Sequence, residues 1–277
     1  MTSTLTLTKH HGAGNDFVVL VDIGGEAPAG PAVARALCDR HRGVGADGFI
    51  RVLAGTDGAD VTMDLRNADG SPAEMSGNGI RCLAQAAVLA GVVSPPAFTV
   101  ATAAGVRTVV YEPGERPWLA RASVDMGRPV LGTEEPGPLA GSRAVPVDMG
   151  NPHLVVLGLD PGAVDLPALA AVASARRPDG VNVEVAAVDG ADRLRMRVFE
   201  RGVGETLACG TGTCAAAAVA RARGLVGPSV VVANPGGDLD VELGEDGARL
   251  AGPTAVVATV VVDLAALAGC EPDDDEP

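Results

Sequence analysis

With 277 residues, 47% of them hydrophobic and only 2% aromatic, the chain can build one large core or two ordinary ones, packed mainly by valine and alanine. Its net charge of −14 offers no basic face for phosphates, which excludes nucleic acid as a partner and reads as solubility. Five cysteines without paired Cys-x-x-Cys or His-x-x-x-His spacing fit a reducing cytoplasm, not a disulfide scaffold or a metal site.

In chain order, residues 4–9 alternate as a strand, and a glycine-rich loop (11–16) leads into an apolar strand at 17–21. A helix is predicted over 31–41 and a strand over 61–65, followed by a tight turn at 67–71 carrying Asp-Gly. An alanine-rich helix near 80–90 precedes strands at 98–101, 106–111 and 120–126. The Pro/Gly-rich stretch 127–146 reads as a passage between halves. Beyond it come an apolar run at 154–157, a helix at 167–175 and strands at 182–188 and 193–199. A second alanine-rich helix at 213–222 precedes strands at 230–233, 239–243 and 255–262. That last run is too short to cross a bilayer, no secretory pattern opens the chain, and the acidic end 271–277 is expected to be disordered.

Two stretches repeat each other. Ser76-Gly77-Asn78-Gly79 and Cys209-Gly210-Thr211-Gly212 lie 133 positions apart, and the helical runs they open end at Gly91 and Gly224 with the same offset. Upstream, 61–67 aligns with 194–200 in the same register. One supersecondary unit is therefore used twice, with a small nucleophilic side chain at each helix start. Both helices are apolar around most of their circumference, so each is expected to be buried inside its own half.

Helix N-termini favour anions. Cys209 at such a position is expected to have its thiol pKa lowered from about 8.5 toward neutrality, while the Gly210 and Thr211 amides suit a substrate carboxylate. Two such groups on opposite faces of one carbon could remove and return a proton, the geometry that inverts a stereocentre. Lys9 is the only lysine, so pyridoxal chemistry has a single candidate Schiff-base residue and a cofactor-free reaction is expected.

The chain resembles the diaminopimelate epimerase family over roughly residues 5–262. The motifs are His11-Gly12-Ala13-Gly14-Asn15-Asp16-Phe17, Arg66-Asn67-Ala68-Asp69-Gly70-Ser71, Glu74-Met75-Ser76-Gly77-Asn78-Gly79-Ile80-Arg81-Cys82, Met149-Gly150-Asn151-Pro152-His153, Gly180-Val181-Asn182, Phe199-Glu200-Arg201-Gly202-Val203-Gly204-Glu205-Thr206 and Ala208-Cys209-Gly210-Thr211-Gly212. The resemblance implies a pyridoxal-independent, two-base epimerase that interconverts LL- and meso-diaminopimelate for lysine and peptidoglycan synthesis. It implies an α/β (α+β) fold of two pseudo-symmetric halves, each a sheet wrapped around a buried helix, with the active site in the cleft between them. The halves are expected at 1–126, to which a strand near 256–264 returns, and at 127–265, with a tail at 266–277. The family pattern assigns Cys209 as one base, His153 and Glu200 as supports, and substrate binding to Asn15, Asn67, Gly77, Asn78, Asn151, Asn182, Glu200, Arg201, Gly210 and Thr211. A cytoplasmic homodimer with a small amino-acid substrate and no metal is the implied setting.

One position departs: Ser76 stands where the family has its other cysteine. A hydroxyl is roughly four to five pK units less acidic than a thiol, so forming its anion costs about 6 kcal/mol more. Three readings stay open. Ser76 serves with assistance; the chain acts as a racemase, isomerase or single-base dehydratase on another amino acid; or it is a catalytically impaired paralogue that binds substrate. Gly48, where some family members carry glutamine, is a second and smaller departure.

Overall fold

The computed structural model describes residues 4–267; Cys270 and the acidic end 271–277 lie outside them. In chain order the elements are β1 (Thr4–Gly12), β2 (Asn15–Val21), α1 (Pro31–Cys38), β3 (Gly48–Ala54), β4 (Val61–Asn67), α2 (Gly77–Leu89), β5 (Ala97–Thr102), β6 (Gly105–Pro113) and β7 (Leu119–Gly127). There follow β8 (Val130–Leu131), β9 (Glu135–Pro136), β10 (Arg143–Asp148), β11 (Pro152–Leu157), α3 (Leu166–Ser174), β12 (Asn182–Val188), β13 (Arg193–Glu200) and β14 (Gly204–Thr206). The chain continues through α4 (Gly210–Ala222), β15 (Ser229–Asn234), β16 (Gly237–Leu243) and β17 (Ala248–Asp263). It divides into two compact units: residues 1–12, 16–122 and 253–277, and residues 13–15 and 123–252.

In the first unit β2 and β3 pair in parallel, as do β4 and β5, while β3–β4 and β5–β6 are antiparallel. The later part of β17 pairs with β1, aligning Leu7 with Val260, and pairings β1–β2, β6–β7 and β7–β17 close a ring of eight strands. Parallel neighbours need a crossover between them; α1 supplies one and α2 the other. Every residue of α2 from Gly77 to Ala87 is buried, which its Gly/Ala content makes sterically possible. The amphipathic α1 packs elsewhere, with Val33, Ala34 and Leu37 against Leu7, Val18, Leu20 and Phe49.

The second unit repeats this plan. β10–β11 and β12–β13 are antiparallel, β11–β12 and β13–β15 are parallel, and β15–β16–β17 form a meander. Residues Gly210 to Ala220 of α4 are all buried, and α3 lays Leu166, Leu169, Ala170 and Ala173 against β11 and β12. The two long helices keep the repeat's offset of 133 at both ends. Each stops the same way. Gly91 (φ 71°) and Gly224 (φ 69°) take the left-handed conformation that disfavours a Cβ. Val92 and Leu225 then return their amides to Ala87 and Ala220 at 2.9 and 3.0 Å.

Several element bounds differ from expectation. Both long helices begin at the glycines following Ser76 and Cys209, three residues earlier than their apolar runs suggested. α1 ends at Cys38, because the amides of Val44 to Ala46 fold back onto the Leu37 and Cys38 carbonyls. The 127–146 stretch holds β8, β9 and the start of β10, and β3 was not anticipated. Among the described residues no helix is long and apolar enough to cross a membrane.

Candidate active site

The second unit assembles its site from three neighbouring strands and one helix start. β13 ends at Glu200, the chain turns through Gly202 and Gly204 at positive φ, and β14 folds back along it. That return sets the Thr206 hydroxyl as donor to the Glu200 carboxylate and delivers Cys209 to the start of α4. Cys209 is 5% exposed. Its sulfur lies 3.4 Å from Thr211 Oγ1 and makes a hydrogen bond with Glu200.

The parallel register of β11 and β12 aligns His153 with Asn182, so Glu184 falls on the same sheet face as both. His153 Nδ1 sits 2.6 Å from Glu184 Oε1, with both side chains wholly buried. On the other side of the ring, His153 Nε2 is 2.9 Å from Asn151 Oδ1, and Asn151 Nδ2 reaches Thr211 Oγ1 at 3.5 Å. Cys209, Thr211, Asn151, His153 and Glu184 thus form one hydrogen-bonded series. Gly212 makes it possible: a Cβ there would stand 2.4 Å from Glu184 Oε1.

The electrostatics overturn one expectation. The Cys209 thiol is not lowered toward neutrality but raised well above the ordinary thiol value, first by burial and then by the Glu200 and Glu184 carboxylates. The Thr211 hydroxyl and the Gly212 amide oppose this rise without cancelling it. Glu200 is raised as well, chiefly by burial, with Glu184 adding to the rise and Thr206, Cys209 and His153 opposing it. Helix-start assistance of about 1 kcal/mol is outweighed by desolvation beside two acids.

Asn182 spends its amide on scaffolding: Nδ2 donates to the Pro152 carbonyl at 3.2 Å, and Oδ1 accepts from the Arg201 amide at 2.9 Å. It fixes the segments carrying His153 and Arg201. The Arg201 guanidinium is exposed and donates to the Asp179 carbonyl over Gly180. Asn15 is buried at the start of β2.

In the first unit Ser76 caps α2, its Oγ accepting from the Gly79 amide at 3.0 Å. Gly77 and Asn78 form the helix's first turn, with Asn78 buried. Asn67 bonds Ser71 Oγ through Nδ2 at 3.1 Å in the turn before it. Arg81, wholly buried, donates to the Gly77 carbonyl and to Asn78 Oδ1, both at 2.8 Å. Lys9 is ion-paired with Asp16 at 2.5 Å and reaches the Gly45 carbonyl. Cys82 and Cys38 are buried thiols pushed up to about 12, and Cys214 is buried in α4.

Sequence reasoning missed Glu184 and gave no role to Arg81. The available signals were a carboxylate inside the otherwise apolar run 183–188 and an arginine inside a mostly apolar helix, both anomalous unless partnered.

A family model described as diaminopimelate epimerase matches residues 7–132 and 145–259. The chain is 41% identical over 278 residues to a diaminopimelate epimerase of Corynebacterium glutamicum, covering 95% of this chain and all of the relative. It is 42% identical over 282 residues to one from Thermobifida fusca, with the same coverage. Among solved structures, a hydroxyproline epimerase from Agrobacterium vitis superposes with TM-score 0.74 at 20% identity, covering 95% of this chain and 93% of that one. A PhzF-family protein from Bacillus anthracis gives 0.72 at 14% identity, covering 94% and 99%. Those distant structures share the fold, and the sequence match identifies the lineage: this chain belongs to the diaminopimelate epimerase family.

Proposed function

We propose that the chain interconverts LL- and meso-diaminopimelate without pyridoxal, removing the α-proton with one group and returning it with another. The observation that carries this reading is the Cys209–Glu200 pair at the start of α4. A thiol raised by burial becomes a strong base once ionised, and a carboxylate raised beside it is a better acceptor for the displaced proton than a free one. Substrate docking at the Gly210 and Thr211 amides places a carboxylate on the helix start, where charge developing on the carbanion is stabilised. Gly77 and Asn78 serve the equivalent role at α2, with Ser76 as the second proton-transfer group. Asn15, Asn67, Asn151, Asn182 and Arg201 line the substrate, Arg201 suiting a distal carboxylate. We assign the two functional halves to 1–126, joined by the strand near 256–264 that returns to it, and to the rest of 127–265, and the enzyme to a cytoplasmic homodimer serving lysine biosynthesis.

The test is turnover of LL-diaminopimelate in deuterated water. Deuterium should enter at one α-carbon as meso product appears, and Cys209→Ala should abolish both. Exchange without inversion would replace the two-base reading with single-base chemistry, and binding without either would make the chain a paralogue.

A further inference from the structure

Glu184 lies beyond the groups assigned to substrate, yet it terminates the series that ends on Cys209. Asn151 Oδ1 can only accept, so His153 Nε2, 2.9 Å away, carries a hydrogen. Glu184 Oε1 lies 2.6 Å from His153 Nδ1, a separation that needs a proton between the two atoms. The pair therefore holds two protons, one more than a neutral imidazole beside a carboxylate would carry. Asn151 Nδ2 then donates across the long 3.5 Å link to Thr211 Oγ1. That occupies the oxygen as acceptor and leaves its hydrogen for Cys209 Sγ at 3.4 Å.

Burial supports the extra proton. Glu184 Oε2 is buried without a hydrogen-bond partner, a costly position for a full carboxylate charge. Glu200 on β13 is a second buried acid in the same field, and two neighbouring anions disfavour each other. Cys209 on α4 and Glu200 are the other ionisable groups that bear on this pair.

We propose that Glu184 is a positioning residue: the proton it shares with His153 fixes the direction of the series so that Thr211 donates to Cys209 Sγ. A donor at sulfur favours the thiolate; the opposite polarity would make Thr211 the acceptor of the thiol hydrogen and hold Cys209 inert. The proposal rests on Cys209 as a base, but its test uses no substrate, so failure of one reading is distinguishable from failure of the other.

The full-length enzyme is labelled with ¹⁵N at its four histidine rings, and a His153→Gln sample identifies the His153 resonances. At neutral pH Nε2 should carry hydrogen in the natural protein and in Glu184→Gln, whose amide N–H can donate to Nδ1 in place of the shared proton. Nδ1 should share the second proton in the natural protein and be bare in Glu184→Gln. A bare Nε2 in either protein, or the same Nδ1 state in both, overturns the proposal. Alkylation of Cys209 by iodoacetamide, followed by peptide mass mapping, reads the far end. Thr211→Val should slow it about tenfold or more, the worth of one hydrogen bond to a charged group. Glu184→Gln should stay within about threefold of the natural rate at neutral pH, and a fall as large as that of Thr211→Val also overturns the proposal.

Discussion

Gly212→Ala tests the packing on which the site stands. The new Cβ would sit 2.4 Å from Glu184 Oε1 and 3.0 Å from its Cγ and Cδ, so the carboxylate must move by about 1 Å. A flexible side chain normally yields cheaply, but Glu184 is wholly buried and bonded to His153 at 2.6 Å. Overpacking costs about 1–3 kcal/mol and a lost charge-assisted bond about 1.5–3 kcal/mol, against at most about 1 kcal/mol gained from better helix propensity. The net expectation is a loss of about 2–5 kcal/mol. Gly79, 133 positions earlier, is the internal control: a Cβ there meets Ser76 Cβ at 3.1 Å and the ends of Ile50 and Met63 at 3.2 Å. Those tips give by tenths of an ångström, so Gly79→Ala should cost at most about 1 kcal/mol. Urea denaturation of the two variants beside the natural protein measures the difference. A Gly212→Ala protein as stable as Gly79→Ala would refute the close-packed Glu184.

Ser76→Cys should raise the epimerisation rate while losing about 1 kcal/mol of capping stability, and Ser76→Ala should lower the rate at a similar stability cost; rates unchanged in both would remove Ser76 from the chemistry. His10 is buried against Gln85 and Thr8, and burial depresses its pKa from 6.5 to about 4. The unfolded chain therefore takes up a proton that the folded one refuses as pH falls from 6.5 toward 4. Stability present above that window should decline by on the order of 3 kcal/mol across it. Denaturation curves at pH 7 and 4.5 should show this slope, and His10→Gln should flatten it.

The repeat made much of the fold legible, because an alternating strand, a nucleophile-glycine start and a terminal glycine recur at one spacing. What it could not show is instructive. β3 (Gly48–Ala54) is a short apolar run parallel to β2, and a strand buried on both faces gives no alternation to read. β10 carries Pro146, which composition marks as a breaker, yet the strand accommodates it and its carbonyl still accepts from Gly132. β17 runs through Gly252-Pro253 for the same reason: two punctuating residues do not stop a strand whose neighbours hold it. The candidate residues were readable as motifs, but the sign of the Cys209 shift was not. It depends on Glu184 and Glu200, which lie 25 and 9 residues away in sequence and converge only through the β11–β12–β13 register.

The same backbone serves two different side chains at the two helix starts. Ser76 has φ −137° and ψ 116°, and Cys209 has φ −126° and ψ 120°, so the difference between them is chemical. The serine oxygen is taken by the Gly79 amide, a cap worth about 1 kcal/mol. The cysteine makes no cap bond of that geometry, although the Gly212 amide bears on its sulfur, which faces Thr211 and Glu200. A hydroxyl that accepts an amide hydrogen has one lone pair occupied and its proton still to give. It is therefore better suited to deliver a proton than to remove one, since its anion lies about 6 kcal/mol above a thiolate. On the reading proposed above, Cys209, with Glu200 to relieve it of its proton, is the stronger abstractor and Ser76 the stronger donor. Because the reverse turnover passes back through the same transition states, the weak serine partner should slow both directions together and leave their ratio to the LL/meso equilibrium, whereas Ser76→Cys should speed both.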